Sequence, residues 1–245
     1  MFVLGIDTAT KVAGAAVVGE ERLIADRYIH NLKTHSQIII PMIRQVMDDA
    51  GIKPHDLHGI AVTGGPGSFT GLRIGMSVAK TMGLALKIPV MGIPTLELLA
   101  WNLYRVEGLI CPILDAKKNE VYTCIYKSID SGLEELINPA ALSIERLVSE
   151  LSGYEKEKVN FLGDGVPVFG DIIREKLGSR ALFGTMINSF PRAAAVAELG
   201  LRQLKKEQPG DSTFLQPVYL RKSEAELTWE QKMDIINEGN CHTKG

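Results

Sequence analysis

Asp7 closes the apolar run "FVLGI" and Asp115 closes "LICPIL"; a short polar turn and a second apolar run follow each. Carboxylates at strand ends suit two kinds of chemistry, holding a divalent cation through oxygen and taking a proton from a nucleophile. With Asp164 in "GDGVPVFG" nearby, they would serve an ATP-dependent kinase or hydrolase working around magnesium. The plainer alternative is that each aspartate caps its own turn through backbone amides. Nothing in the sequence marks a second substrate.

The stretch "TGGPGSFTGLRIG", Thr63 to Gly75, places five glycines after the apolar run "GIAV". A Walker loop needs a lysine after its last glycine, where the ammonium reaches the outer phosphates; here Leu72 follows Gly71. A dinucleotide fingerprint needs glycine at its first, third and sixth positions. Gly65 and Gly67 fit, but Thr70 takes the sixth place. What remains is a tight turn whose amides could meet an anion, or one that only closes a strand against a helix. Spacing does not decide between them.

Other chemistries find less support. His30, His35, His55, His58 and His242 form no HExxH motif and no i, i+4 pair. Cys111, Cys124 and Cys241 lack CxxC spacing, which suits a reducing compartment and argues against a disulfide framework. No serine or cysteine has a nearby elbow or base. A net charge of −2 gives no basic field for nucleic acid, and "KK" at Lys117–Lys118 and "RQLKK" at 202–206 read as solvated faces. The first apolar run is too short for a signal peptide and no segment reaches the ~20 apolar residues of a span. A soluble cytoplasmic protein, with no membrane partner, is expected.

These residues must be positioned by an α/β framework. Phe2–Ile6, Val12–Val18 and Arg22–His30 read as an antiparallel meander. A helix follows from Ser36 to Ala50, with Gly51 as its C-cap and Pro41 predicting a late start or a kink. "GIAVT" is a strand, Leu72–Lys87 a long helix, "PVMGI" a strand and "TLELLAWNLYR" a helix. The order is βββαβαβα, mixing hairpins with parallel crossovers. "LICPILDAKKNEVYTCIY" then repeats strand, aspartate, turn and strand, and "VNFL" with "GDGVPVFG" repeats strand and glycine turn. Two lobes of related topology follow from this weak symmetry: 1–107, 108–226 and a tail at 227–245.

Glycine inside a helix costs roughly 0.5–1 kcal/mol relative to alanine, so Gly75 and Gly83 must be offset by something. With Ala79 they form a flat ridge flanked by Leu72, Met76, Met82 and Leu86. Such a ridge lets another backbone come close, either of the same chain or of a second subunit.

"GIDTAT", "GGPGSFTGLRIG", "LDAKKNEVY" and "PVYLRKSEAE" occur in order across nearly the whole chain and closely resemble the TsaB family. These are accessory subunits of bacterial tRNA threonylcarbamoyladenosine synthesis, within the actin-like and Hsp70-like ATPase superfamily. The resemblance implies a two-lobe, ribonuclease H-like α/β fold with hairpin turns facing each other across a cleft. It implies at most weak ATP or ADP binding, with no cofactor required, at Asp7, Thr8, Thr10 and Asp115, and at Gly163 and Gly165 on the adenosine side.

The catalytic paralogues, TsaD, carry two metal-binding histidines in a "GVNHxEGH"-like stretch. "GIPTLELL" stands there instead, with Thr95 and Leu99 at the histidine positions, and neither replaces imidazole on a metal. The resemblance therefore implies a non-catalytic scaffold that dimerises with TsaD through Leu72, Gly75, Met76, Ala79, Met82, Gly83 and Leu86 and part of Ser36–Ala50. TsaE, a P-loop ATPase, would join through the complex, tRNA would be met only indirectly, and the chain alone would form a homodimer. On that reading Gly75→Leu weakens the complex and leaves the isolated fold intact.

Overall fold

The computed structural model describes residues 1–30, 34–206 and 215–221. The first lobe runs β1 (Val3–Asp7), β2 (Val12–Val18), β3 (Leu23–His30), α1 (His35–Ala50), β4 (Gly59–Gly65), α2 (Phe69–Leu86), β5 (Val90–Pro94) and α3 (Thr95–Trp101). The second runs β6 (Leu109–Lys117), β7 (Glu120–Ile129), β8 (Gly132–Ser143), α4 (Ile144–Leu151), β9 (Val159–Leu162), α5 (Val166–Leu177), β10 (Ala181–Phe183) and α6 (Ala193–Lys205). The sheets have orders β3-β2-β1-β4-β5 and β8-β7-β6-β9-β10, so the second repeats the first strand for strand. In each, the first three strands are antiparallel and the last two parallel. This is the duplicated α/β architecture expected from the sequence.

Every residue of β1, β2 and β4 is buried, because these central strands are covered on both faces. On one face of the first sheet, α1 and α2 bury Ile39, Val46, Met76 and Ala79 against Leu4, Ile6 and Val62. Its other face is covered by α6, from the far end of the chain, through Val196, Ala197 and Leu201 on Val3, Ala61 and Met91. A Cβ on Gly5 would collide with the Ala193 carbonyl, so only glycine admits the helix this closely.

The second sheet is arranged likewise. One face carries α4 and α5, and the other carries α3, whose Leu96, Leu99 and Ala100 pack on Ile110, Leu114 and Tyr126. Each sheet is thus completed by a helix adjoining the other lobe in sequence. α3 and α6 meet between the sheets, where the Arg202 guanidinium lies 4.5 Å from the Trp101 ring. Division by sequence places α6 with 108–226; in space it completes the first sheet.

Several elements differ from their sequence-based forms. α1 begins at His35 and stays helical across Pro41. α2 starts three residues before Leu72, where Ser68 Oγ accepts the Gly71 amide at 3.2 Å. α3 stops at Trp101, and Asn102 donates to the carbonyls of Asn188 and Phe190, both at 2.9 Å. β8, α4 and α6 escape the pattern reading altogether. Pro139 interrupts the alternation of β8, which tolerates it at the sheet edge.

Candidate functional site

The two strand-end aspartates occupy equivalent places. Asp7 Oδ1 accepts the Ala9 amide at 3.1 Å, and Asp115 Oδ1 accepts the Lys117 amide at 2.9 Å. Each caps its turn through the amide two residues on. Their surroundings differ. Asp7 is fully buried and its Oδ2 has no hydrogen-bond partner. Burial pushes its carboxyl up to about 7, against the smaller pull of the Ala9 amide, the Thr63 hydroxyl and the Thr8 amide. Asp115 is partly exposed; burial works to raise its pKa, but the Lys117 ammonium and amide pull it below the usual carboxylate value. Asp115 also donates its amide to Asp164 Oδ1 at 3.0 Å.

The glycine loop fills the space beside the first of these turns. The Ser68 amide donates to the Ala9 carbonyl at 2.7 Å, and the Leu72 amide donates to the Ser68 carbonyl at 2.8 Å. Thr8 Oγ1 donates to the Gly71 carbonyl at 2.7 Å, so Thr8 is buried under the start of α2. His35 Nε2 meets the Thr10 carbonyl at 2.7 Å, and since a carbonyl only accepts, that nitrogen carries the proton. Asp7, Thr8 and Thr10 are therefore brought together, but with their polar groups turned into the chain's own packing.

Gly163 and Gly165 press on β6 in the second lobe as the glycine loop presses on its neighbours in the first. The Gly165 amide donates to the Ile113 carbonyl at 3.1 Å and the Val166 amide to the Gly163 carbonyl at 3.2 Å. Pro167 has no amide to offer, so these three residues present no row of N–H groups to an anion. Gly65, which ends β4, and Gly163, which follows β9, both adopt φ of +110°.

The ridge of α2 faces inward. Leu72, Gly75, Met76, Ala79 and Gly83 are buried, while Met82 and Leu86 are half-buried. A Cβ at Gly75 would collide with Thr8 Oγ1, and one at Gly83 with Val90. The small residues exist so that α2 can lie close on its own sheet, and Gly75→Leu cannot leave the fold intact. The outward face is formed by other residues: Arg73, Ser77, Thr81, Leu84 (83% exposed) and Lys87; on α1, Ile40 is 56% exposed.

Thr95 and Leu99 are buried core residues of α3. The loop histidines have structural partners: His58 Nδ1 accepts the Phe2 amide at 3.1 Å, and His55 lies beside Asp56. Cys111 and Cys124 are buried free thiols, each pushed up to about 12 chiefly by burial. Trp229, Cys241, His242 and the tail lie outside the described residues. Among the described residues no helix is long and apolar enough to cross a membrane.

Residues 29–229 match the family model described as "TsaD: tRNA N6-adenosine threonylcarbamoyltransferase". The tRNA threonylcarbamoyladenosine biosynthesis protein TsaB of Bacillus subtilis is 35% identical over 94% of this chain and 98% of its own length. The chain belongs to the TsaB family. The Escherichia coli TsaB is 28% identical over 92% of the chain and 96% of its own length. Among solved structures, a Pseudomonas aeruginosa protein described as similar to the peptidase YEAZ superposes with a TM-score of 0.76 at 27% identity, covering 90% of this chain and 99% of that one. The TsaB motifs quoted from the sequence map onto the two aspartate turns, the glycine loop, and the segment around Tyr219, which touches both lobes.

Proposed function

We propose that this TsaB-family chain is a non-catalytic subunit of the complex that transfers a threonylcarbamoyl group to the tRNA adenosine next to the anticodon, and that it docks on the catalytic paralogue TsaD. The observation that carries this reading is the outer surface of α1 and α2. Leu84 on α2 and Ile40 on α1 are exposed to solvent, and Ile74, Val78, Met82 and Leu86 of α2 are half-buried. Apolar side chains so placed are suited to a protein partner. Without that partner the same surface serves a homodimer, since a two-fold contact reuses one patch. TsaE and tRNA are then met through the complex.

The burial of Asp7 supports the non-catalytic part. A kinase or hydrolase using Asp7 would need that carboxylate ionised and in reach of a phosphate-bound cation, whereas Asp7 is fully buried. At most weak ATP or ADP binding at Asp115, Gly163 and Gly165 remains part of the proposal. Light scattering after size exclusion tests the partner, with the chain alone and mixed with TsaD from the same organism. A one-to-one heterodimer replacing a homodimer is expected; no complex at micromolar concentration refutes the docking. ATP hydrolysis that Asp7→Ala abolishes would instead establish the enzyme.

A further inference from the structure

Residues 215–221 cross from one lobe to the other. On the first-lobe side the Leu215 side chain fills the space over Gly92, where a Cβ would lie 2.6 Å from Leu215 Cδ1. The Leu215 carbonyl accepts from Lys80 Nζ at 3.2 Å. The Val218 amide donates to the Gly64 carbonyl at 2.7 Å, and a Cβ on Gly65 would collide with the Val218 carbonyl. The Tyr219 ring lies 4.7 Å from Phe69, and its hydroxyl accepts from Arg73 Nε at 3.1 Å. Contacts of Leu215, Val218 and Tyr219 thus tie this side to the glycine loop, α2 and the edge strand β5.

The second-lobe side depends on Arg221. Its Nη1 donates to the Ala116 carbonyl at 3.1 Å and pairs with Glu120 Oε2 at 2.9 Å. Both partners flank the tip of the β6–β7 hairpin, where Lys117, Lys118 and Asn119 all have positive φ, from 53° to 64°. Lys11 of the β1–β2 turn is near enough to pull on the charge of Asp115 and, against the burial that raises its pKa, of Asp164.

We propose that Leu215–Arg221 is a clasp that holds the two aspartate turns in one closed arrangement, and that it releases at Arg221. The asymmetry of its anchors carries the argument. The first-lobe end combines a backbone hydrogen bond, an apolar plug and an aromatic stack. Among the described residues the second-lobe end has one guanidinium, on a partly exposed pair that salt screens. The lobes are also linked by α3 and α6, so separation of the two turns need not break that link. The clasp does not depend on which partner α2 meets.

The test places spin labels on the two facing turns of the full chain, at Lys11→Cys and Lys118→Cys, both exposed, with Cys241 replaced by serine. The native clasp is expected to give one narrow distance distribution. Arg221→Ala should add a longer population while hydrogen exchange still protects the Val218 amide. A distribution that is already broad with Arg221 present, or identical without it, overturns the clasp. Loss of Val218 protection in Arg221→Ala overturns Arg221 as the release point. If Arg221→Ala unfolds, Glu120→Gln probes the same anchor from the hairpin side, with the same outcomes.

Discussion

Asp7 and Asp115 end equivalent strands of two copies of one fold, and each accepts the amide two residues further on, yet only Asp115 reaches solvent. The difference lies in what covers each turn. The glycine loop and the first turn of α2 close over Asp7, Thr8 and Ala9. Asp115 is met by the side chain of Lys117 and the amide contact with Asp164. One motif thus yields a buried carboxyl in one lobe and a solvent-facing carboxylate in the other.

The burial of Asp7 makes stability depend on pH. Its folded pKa of about 7 lies above the unfolded value of 3.8, so the folded state holds the proton more tightly. The stabilisation is fully present below pH 3.8 and is lost as pH rises through about 7. At 1.36 kcal/mol per unit, the ionised form costs on the order of 4 kcal/mol above neutrality. Asp7→Asn mimics the neutral carboxyl and should remove most of this dependence. Urea midpoints at pH 5 and pH 8 for both chains check it; equal pH slopes would mean that Asp7 is already ionised in the fold.

Substitution at Gly75 should act on folding. A methyl group there meets Thr8 Oγ1, whose hydrogen bond holds the turn under α2. Gly75→Ala is expected to destabilise by about 1–3 kcal/mol, the usual cost of overpacking, and Gly75→Leu to prevent soluble folding. Thermal unfolding of Gly75→Ala decides. A melting temperature at or above that of the parent would place the ridge away from the sheet.

The strands β1, β2, β4 and β9 were legible because buried strands leave continuous apolar runs bounded by turn residues, whereas β8 and β10 of the second lobe were not. The direction of the ridge was not legible. Gly75, Ala79 and Gly83 announce a close approach, but periodicity cannot say whether the approaching backbone is β4 of the same chain or another subunit. α6 carries the same signal in Ala193, Ala197 and Gly200, which lie on one side of the helix and press on Gly5 and Ala61. That signal was there to be read. Its destination, a sheet whose central strand lies more than 180 residues earlier, depends on tertiary packing alone. The fate of the aspartates was hidden for a similar reason, since local sequence gives the cap and only packing gives the burial.

The exchange of α3 and α6 predicts joint unfolding of the lobes. Leu99 is fully buried among Ile110, Leu114 and Tyr126 of the second sheet, though its helix continues from the first. Leu99→Ala should cost about 2–5 kcal/mol through lost burial and the cavity left behind. Circular dichroism and hydrogen exchange followed in each lobe should report a single shifted transition. Two separated transitions would show that the lobes fold independently and that the exchanged helices do not couple them.

The exposed side chains of α1 and α2 separate binding from folding. Leu84 is 83% exposed and Ile40 is 56% exposed, so neither contributes much to the core. Surface substitutions of this kind usually change stability by less than about 0.5 kcal/mol. Leu84→Arg should therefore keep the melting temperature of the parent while placing a charge in the apolar centre of the proposed interface. An unpaired buried charge in an interface costs several kcal/mol, so the dissociation constant for TsaD should rise by about a hundredfold or more. Ile40→Arg on the neighbouring helix should act in the same direction, whereas Val168→Arg on α5 should leave binding alone. Calorimetric titration of TsaD with the three variants measures this directly. If Leu84→Arg and Ile40→Arg bind as tightly as the parent, the contact with TsaD lies elsewhere on the molecule.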